Sequence, residues 1–293
     1  MNTPMVDNLF HHVITPETWT VNVESWNQEA GEEGTRRRVF LEPLGDLFED
    51  RPELTTKRRW LFSLIDGTPH LDWFLITRRP ENVLRLTPGY CPSPDPHSTV
   101  QTMTLLRPNV CLGTVVENQE QADERIPHLL QCPANVHFVL CEPLTGSVDL
   151  SPFLYRREDV IRRFMEGPMK LNREQAESVT LFPVDWVIVG GDTGDNARPC
   201  RLKWIRSLRD QCGAAGVPCF IKQIGSNPGT GPVDSDGFPK CWNCGHFDFG
   251  PCSDGTMLCN GCDSAWSRFV DSKGGNIDEW PEDLRVREFP EGI

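Results

Sequence analysis

The chain has 293 residues, which is enough for one large α/β domain, alone or with a small appendage. Hydrophobic residues make up 38% and charged residues 24%, an ordinary balance for a globular protein. No apolar run approaches the roughly 20 residues of a membrane span, and the N-terminus lacks the layout of a signal peptide. The net charge of −13 argues against a broadly basic surface for nucleic acid. We therefore expect a cytoplasmic protein with no membrane partner.

After a weakly structured N-terminal segment (residues 1–35), short apolar runs alternate with amphipathic stretches through residue 226. The predicted strands are 39–41, 72–77, 109–116, 136–141, 186–189 and 218–222. The predicted helices are 58–66, 80–86, 120–130, 155–165 and 202–215, and residues 173–178 extend the connection after the fourth of them. Such alternation is typical of a parallel sheet with right-handed crossovers. About six strands favour a partial TIM-type (βα) barrel over a closed one, and a doubly wound sheet is the alternative.

The fifth predicted strand runs directly into the polar sequence GGDTGDNARPC, residues 190–200. Its glycines permit a tight turn and let another group approach the backbone closely. The loop 190–194 is therefore a candidate for holding an anion with its backbone N–H groups. It matches neither the dinucleotide-binding pattern nor the Walker pattern, so this motif alone is a weak signal.

Polar side chains follow all six predicted strands, and in a parallel barrel the carboxyl ends of the strands meet at one mouth. The sequence therefore predicts a polar binding site there, with helix caps and strand-end ion pairs as the alternative explanation. Two of these residues, Glu142 and Lys222, are the candidates for handling protons in catalysis. The candidates for ligand contacts are Arg78, Glu117, Asp192 and Arg198.

Five of the twelve cysteines are crowded between residues 241 and 262. Two CxxC pairs, Cys241 with Cys244 and Cys259 with Cys262, have the spacing of a tetrahedral structural zinc site. The sequence thus predicts a zinc-ribbon insertion over residues 227–270, followed by a C-terminal segment (271–293) that packs on the barrel. Two further residues in this insertion are possible substitutes if one ligand is wrong, namely Cys252 and His246. A redox function of the CxxC pairs is the alternative.

Long ordered segments resemble a phage-type, radical-SAM-like family of unknown function, named after mycobacteriophage gene products thirty-seven and sixty-eight. They are GDLFED (45–50), TPHLDWFLITRRPENV (68–83), PNVCLGTVVENQEQADERIPHLL (108–130), HFVLCEPLTGSVDL (137–150), DWVIVGGDTGDNARP (185–199), WIRSLRDQCGAAGVPCFIKQIG (204–225) and EWPEDLRVREFP (279–290). The resemblance implies a partial TIM-type barrel. Its members usually carry an N-terminal CxxxCxYC motif for a [4Fe–4S] cluster, which leaves one iron open for S-adenosylmethionine.

This sequence has no cysteine before Cys91, so the resemblance implies these two cofactors only if a missing N-terminal motif is supplied. The chain is then a shortened, split or degenerate member, from a bacterium or a phage-infected cell, with a polar ligand of unknown identity and a structural zinc ion. Whether it is an enzyme stays open. The alternative is a non-catalytic module that binds a nucleic acid or a partner protein through the zinc ribbon, and the acidic charge weighs against nucleic acid.

Overall fold

The computed structural model describes residues 12–14, 23–41, 46–89, 107–168, 170–179, 182–194, 196–198, 200–226, 249–251, 257–259, 265–266, 271 and 273–293. None of the helices within these ranges combines the length and the apolar character needed to cross a membrane.

Seven strands form the main sheet: β1 (His12–Ile14), β2 (Arg37–Leu41), β3 (Leu71–Thr77), β4 (Val110–Val115), β5 (Val136–Cys141), β6 (Trp186–Gly190) and β7 (Cys219–Gln223). Seven α-helices connect them: α1 (Val23–Glu33), α2 (Leu54–Gly67), α3 (Val83–Leu86), α4 (Gln119–Leu129), α5 (Arg157–Glu166), α6 (Arg173–Val179) and α7 (Leu202–Ala215). Short 3₁₀ helices occur at Pro80–Asn82, Ile277–Glu279 and Glu282–Leu284. All six predicted strands and all five predicted helices are thus present, with small shifts of their ends, and the connection after α5 contains the additional helix α6.

The strands lie side by side in chain order, β1 to β7, and every neighbouring pair is parallel. This order excludes the doubly wound alternative, in which the strand order reverses at a switch point. The sheet curls into a half-barrel, consistent with a partial TIM-type barrel. It has one strand more than expected, because β1 lies in the N-terminal segment. That segment also contains helix α1, so part of residues 1–35 is more ordered than the weakly structured segment that the sequence predicts.

The local sequence explains where individual elements begin and end. Strand β3 is buried at all seven positions, as expected for an apolar run covered on both faces. Helix α4 begins after Asn118, whose side chain accepts a hydrogen bond from the backbone N–H of Gln121 (3.1 Å). Helix α7 ends at Gly216, which adopts a left-handed conformation (φ 67°) that favours glycine.

Alternate residues of the strands belong to two different hydrophobic clusters. One cluster packs between the sheet and its helices. The other lies on the opposite, inner face, and its aromatic residues include Phe74, Phe138, Trp186 and Phe220. Side chains along a strand alternate between faces, so the residues that continue the inner-face positions beyond each strand end also point inward.

The C-terminal segment covers the amino-terminal end of this inner face. Its backbone bonds to β7 in antiparallel fashion, where the N–H of Ile221 donates to the carbonyl of Val286 (2.9 Å). The ring of Phe289 then packs on the rings of Trp186 and Phe220, with centroids 5.3 and 5.2 Å away. The guanidinium of Arg38 lies 4.4 Å from the centre of the same Phe289 ring. The carboxyl end of the strands is therefore the end that remains for a ligand.

Candidate functional site

Five of the six predicted mouth residues continue the inner-face positions of consecutive strands. Arg78 lies two residues after Ile76, and Glu117 two residues after Val115. In the same way, Glu142 lies two residues after Leu140, Asp192 two residues after Gly190, and Lys222 two residues after Phe220. Arg198 comes from the loop after β6 and joins them through its ion pairs. The structure therefore brings all six residues to the carboxyl end of the sheet.

Glu142 and Lys222 form the first of two ion-pair groups. The ammonium of Lys222 donates to both carboxylate oxygens of Glu142, at 2.9 Å each. The amide Nε2 of Gln223 donates to Oε1 of the same carboxylate (3.0 Å) and to the backbone carbonyl of Gly191. Gln223 is almost fully buried, whereas the side chains of Glu142 and Lys222 are 17% and 34% exposed. The pair is thus fixed from the protein side and open to the mouth.

A β-bulge explains how two successive residues of β7 reach one carboxylate. The register between β6 and β7 shifts at Val189/Gly190, so that Gly190 lies opposite Gln223. A Cβ at Gly190 would lie 2.9 Å from Nε2 of Gln223 and 2.9 Å from Cδ of Glu142. Only glycine therefore leaves room for the Gln223 side chain to contact Glu142. Gln223 stands at a strand end in the sequence, but no sequence signal reveals this bulge.

The second group links three strand ends and the loop after β6. The guanidinium of Arg198 donates through Nε to Asp192 (2.8 Å) and through Nη1 to Oε2 of Glu117 (3.1 Å). On the other side of the carboxylate, Nη2 of Arg78 lies 3.7 Å from Oε1 of Glu117. The hydrogen bond from Arg198 is the main cause of the lowered pKa of Asp192, and burial, the next largest cause, opposes it.

Three backbone amides of the loop 190–194 donate within the chain, so these three do not form the anion cradle that the sequence suggests. The N–H of Gly191 donates to the carbonyl of Gln223 (3.3 Å), that of Thr193 to its neighbour Asp192 (3.0 Å) and that of Gly194 to Oγ of Ser226 (3.0 Å). The glycines serve a packing purpose instead. A Cβ at Gly191 would lie 2.7 Å from the carbonyl oxygen of Ile224. Glycine therefore lets the backbone at Ile224, rather than a ligand, pack closely against the loop.

Asp46, which follows strand β2, is a further carboxylate near the mouth. It accepts hydrogen bonds from the hydroxyl of Thr77 (2.6 Å) and the backbone N–H of Arg78 (2.8 Å), and it pairs with Arg79 at 3.3 Å. The side chain of Asp46 is 9% exposed. These contacts hold the backbone that carries Arg78, which is the behaviour expected of a strand-end ion pair.

The predicted zinc site falls mostly outside the described residues. This applies to Cys241, Cys244 and Cys262, and to the two possible substitutes Cys252 and His246. Cys259 is the last residue of strand β9, of which the backbone is described. Strands β8 (Phe249–Pro251), β9 (Met257–Cys259) and β10 (Ala265–Trp266) form a small antiparallel sheet in the order β10-β9-β8. Zinc binding here stays a prediction.

Fold and site together define the class: an α/β half-barrel with a charged cluster at the carboxyl end of its parallel strands. Within that class, the chain belongs to the DUF5131 family, described as a protein of unknown function, whose model matches residues 4–266. Neither a curated protein nor a solved structure matches the chain.

Proposed function

We propose that the protein binds a polar, zwitterionic ligand in the mouth of a radical-SAM-like half-barrel. The observation that carries this proposal is the convergence of three carboxylates and three cations at the ends of five consecutive strands. Charged groups of both signs suit a ligand that presents an ammonium and a carboxylate, as an amino acid moiety does. The resemblance to the radical-SAM-like family supports S-adenosylmethionine, which has such a moiety, as the probe.

In this proposal the Glu142–Lys222 pair handles protons. Lys222 holds a proton at Nζ between two carboxylate oxygens, so a ligand that displaces either partner receives a positioned acid or base. Gln223 keeps the Glu142 carboxylate in place while Lys222 moves. A catalytic use of this pair is part of the proposal, together with a cytoplasmic location.

The described cysteines do not fit a [4Fe–4S] cluster. The six whose side chains the structure describes are free and buried: Cys111, Cys132, Cys141, Cys200, Cys212 and Cys219. Burial raises the pKa of the Cys132 and Cys200 thiols to about 12, and iron–sulfur clusters are held by thiolates. In the part of the chain that the structure describes, no three metal-binding side chains come together. We therefore assign no step to a cluster, and the proposal is restricted to ligand binding and proton handling by the chain's own residues.

Isothermal titration with S-adenosylmethionine tests the proposal. We expect saturable binding to the wild-type protein, weakened at least about tenfold in Glu142→Gln and in Lys222→Met, because each variant breaks the ion pair at the mouth. Arg162→Lys is the matched control, since this exposed arginine pairs with Asp159 on helix α5. Absence of binding, or equal affinity in all four proteins, contradicts the proposal.

A second candidate function is supported by the small antiparallel sheet, whose strands are interspersed with the predicted zinc ligands. This is the interaction module, which would contact a partner protein or a nucleic acid through a zinc ribbon. Elemental analysis of the purified protein tests its premise, with about one zinc per chain expected. A gel shift with mixed oligonucleotides at low salt then distinguishes the two classes of partner, because a complete lack of binding excludes nucleic acid as the partner.

A further inference from the structure

We propose that Arg78 and Arg198 form an oxyanion-binding site, in which Glu117 positions the two guanidinium groups around a carboxylate or phosphate group of the ligand. This inference rests on the proposed function, because it names the ligand chemistry of the same mouth. It assigns Glu117 as a positioning residue and the two arginines as the residues that contact the ligand.

Glu117 is a rigid support for both arginines. Its backbone N–H donates to the side chain of Gln121 (3.0 Å), and its carbonyl accepts from the N–H (2.9 Å) and the hydroxyl (3.0 Å) of Thr145. The carboxylate therefore projects from a fixed strand end. Each of its oxygens faces a different arginine, Oε2 facing Arg198 and Oε1 facing Arg78. One carboxylate thus holds a cationic group at each of its two oxygens, at the mouth.

The two arginines keep most of their hydrogen-bond donors. A guanidinium has five N–H donors. Among the described residues, Arg198 uses Nε and Nη1, and the guanidinium of Arg78 approaches Glu117 only at 3.7 Å, which is longer than a hydrogen bond. Both side chains are more than half exposed, at 59% for Arg78 and 52% for Arg198. The unused N–H donors of these two arginines are available to an anion that enters the mouth.

A structural arginine of the same sheet shows the contrast. Arg36 donates to both oxygens of the buried Asp72 and, through Nη1, to the carbonyl of Pro69 (2.9 Å), so all three of its nitrogens are used. Within the described part of the chain, Arg198 uses two of its three guanidinium nitrogens, and Arg78 uses none at hydrogen-bond distance. The mouth arginines therefore keep more N–H donors for a ligand than Arg36 does.

The charges around the site favour a singly charged group. Arg78, Arg198 and Glu117 together carry one positive charge, and Asp192, which binds Nε of Arg198, brings the total to zero. Guanidinium groups recognise carboxylates and phosphates through paired N–H donors, an advantage that lysine lacks. Because the surroundings are neutral, a carboxylate or a phosphate monoanion fits better than a multiply charged anion.

NMR of the arginine side chains in ¹⁵N-labelled full-length protein tests this inference. Inorganic phosphate and acetate are added in separate titrations, with the ionic strength held constant by chloride. We expect saturable shifts of the Nε–H signals of Arg78 and Arg198, and at least tenfold weaker binding in Arg78→Lys and Arg198→Lys, which keep the charge but lose the paired donors. Arg162→Lys is the control and should bind like wild type. The anion that binds more tightly identifies the group on the ligand.

Glu117→Gln separates positioning from direct contact. It keeps both arginines but removes the charge that orients them, so binding should weaken while the two Nε–H signals remain visible. No saturable shift with either anion, or the same affinity in the three Lys variants, overturns the inference.

The tests also separate this inference from the proposed function. Arginine-dependent anion binding without S-adenosylmethionine binding supports the anion site and contradicts the proposed ligand. Binding of S-adenosylmethionine that needs Glu142 but not the two arginines contradicts the inference alone.

Discussion

At the amino-terminal end of the sheet, the carboxylate of Asp72 accepts three hydrogen bonds from Arg36, at 2.7 to 3.0 Å, and its side chain is 2% exposed. At the carboxyl end, Glu117 faces two arginines that are both more than half exposed, and the shorter contact is 3.1 Å. The two ends thus use the same residue types in different ways. A buried carboxylate whose arginine partner uses all three guanidinium nitrogens stabilises the fold, whereas exposed arginines with unused N–H donors allow an anion to bind.

The C-terminal segment creates this difference. Phe289 packs on Trp186 and Phe220 below the strands, and the backbone carbonyl of Glu288 accepts a hydrogen bond from the indole of Trp186 (2.8 Å). In the described residues, nothing comparable packs across the mouth. Substitutions at the two ends test this contrast between a closed end and an open end.

The largest effect is expected from Trp186→Ala in the inner aromatic cluster. Trp186 is fully buried and contacts the rings of Phe74, Phe138, Phe220 and Phe289. Its removal leaves a cavity, and we expect the free energy of unfolding to fall by about 3–5 kcal/mol. Urea denaturation measures it.

The matched control for this variant is Trp60→Ala, since Trp60 is 40% exposed on helix α2. It should cost at least about 2 kcal/mol less, because less apolar surface is lost from the interior. Equal costs in the two variants would mean that the inner cluster does not close the amino-terminal end.

A second pair of variants compares the two ends directly. Asp72→Asn should lower the free energy of unfolding by about 2–3 kcal/mol, because Arg36 loses a buried, charge-assisted partner. Glu117→Gln should cost less than about 1 kcal/mol, since its arginine partners are largely solvated. Chemical denaturation of both variants gives the values. A reversed order would contradict the assignment of the closed and open ends.

The glycine at the β-bulge offers a prediction of intermediate size. Gly190→Ala places a Cβ 2.9 Å from both Gln223 and Glu142, and we expect a loss of about 1–2 kcal/mol from this overpacking. Ligand binding at the mouth should weaken as well, because the Glu142 carboxylate must shift.

Gly213→Ala is the control for this substitution. Gly213 lies in helix α7, and a Cβ there meets nothing within 4 Å. Alanine should therefore stabilise the helix by about 0.5–1 kcal/mol and leave the mouth unchanged. Thermal unfolding with a ligand titration checks both variants, and an unaltered mouth in Gly190→Ala would show that the bulge does not position Glu142.

The smallest effect concerns pH. The pKa of Asp192 is lowered, first by the hydrogen bond from Arg198. A carboxyl group with a lower pKa in the folded state adds stability above its unfolded pKa, and this stability is lost as the pH falls through the folded value. Asp192→Asn should therefore be less stable than wild type at pH 6 by a fraction of a kcal/mol, and the gap should shrink below about pH 4.

Urea denaturation at pH 6 and at pH 3 measures this gap. Arg198→Met should show the same trend, because it lets the pKa of Asp192 return toward its ordinary value. A gap that does not change with pH would mean that Arg198 does not control the ionisation of Asp192.

Much of the site could be predicted because it depends on local rules. Apolar runs of three to eight residues mark the six predicted strands, and the carboxyl ends of parallel strands meet at one edge of a sheet. Glu142 and Lys222 could therefore be predicted, because each stands at the end of such a run. Strand β1 (His12–Ile14) could not, because the N-terminal residues show little periodicity.

The sequence by itself determined the α/β alternation and the charged residues at the strand ends, because each depends on spacing along a few neighbouring residues. Only the tertiary structure decided which of these charges meet. Arg198 pairs with Glu117 across 81 positions, and the bulge at Gly190 brings Gln223 to Glu142 across 81 positions as well. Such contacts depend on strand register and on loop paths, which are set by packing of the whole sheet.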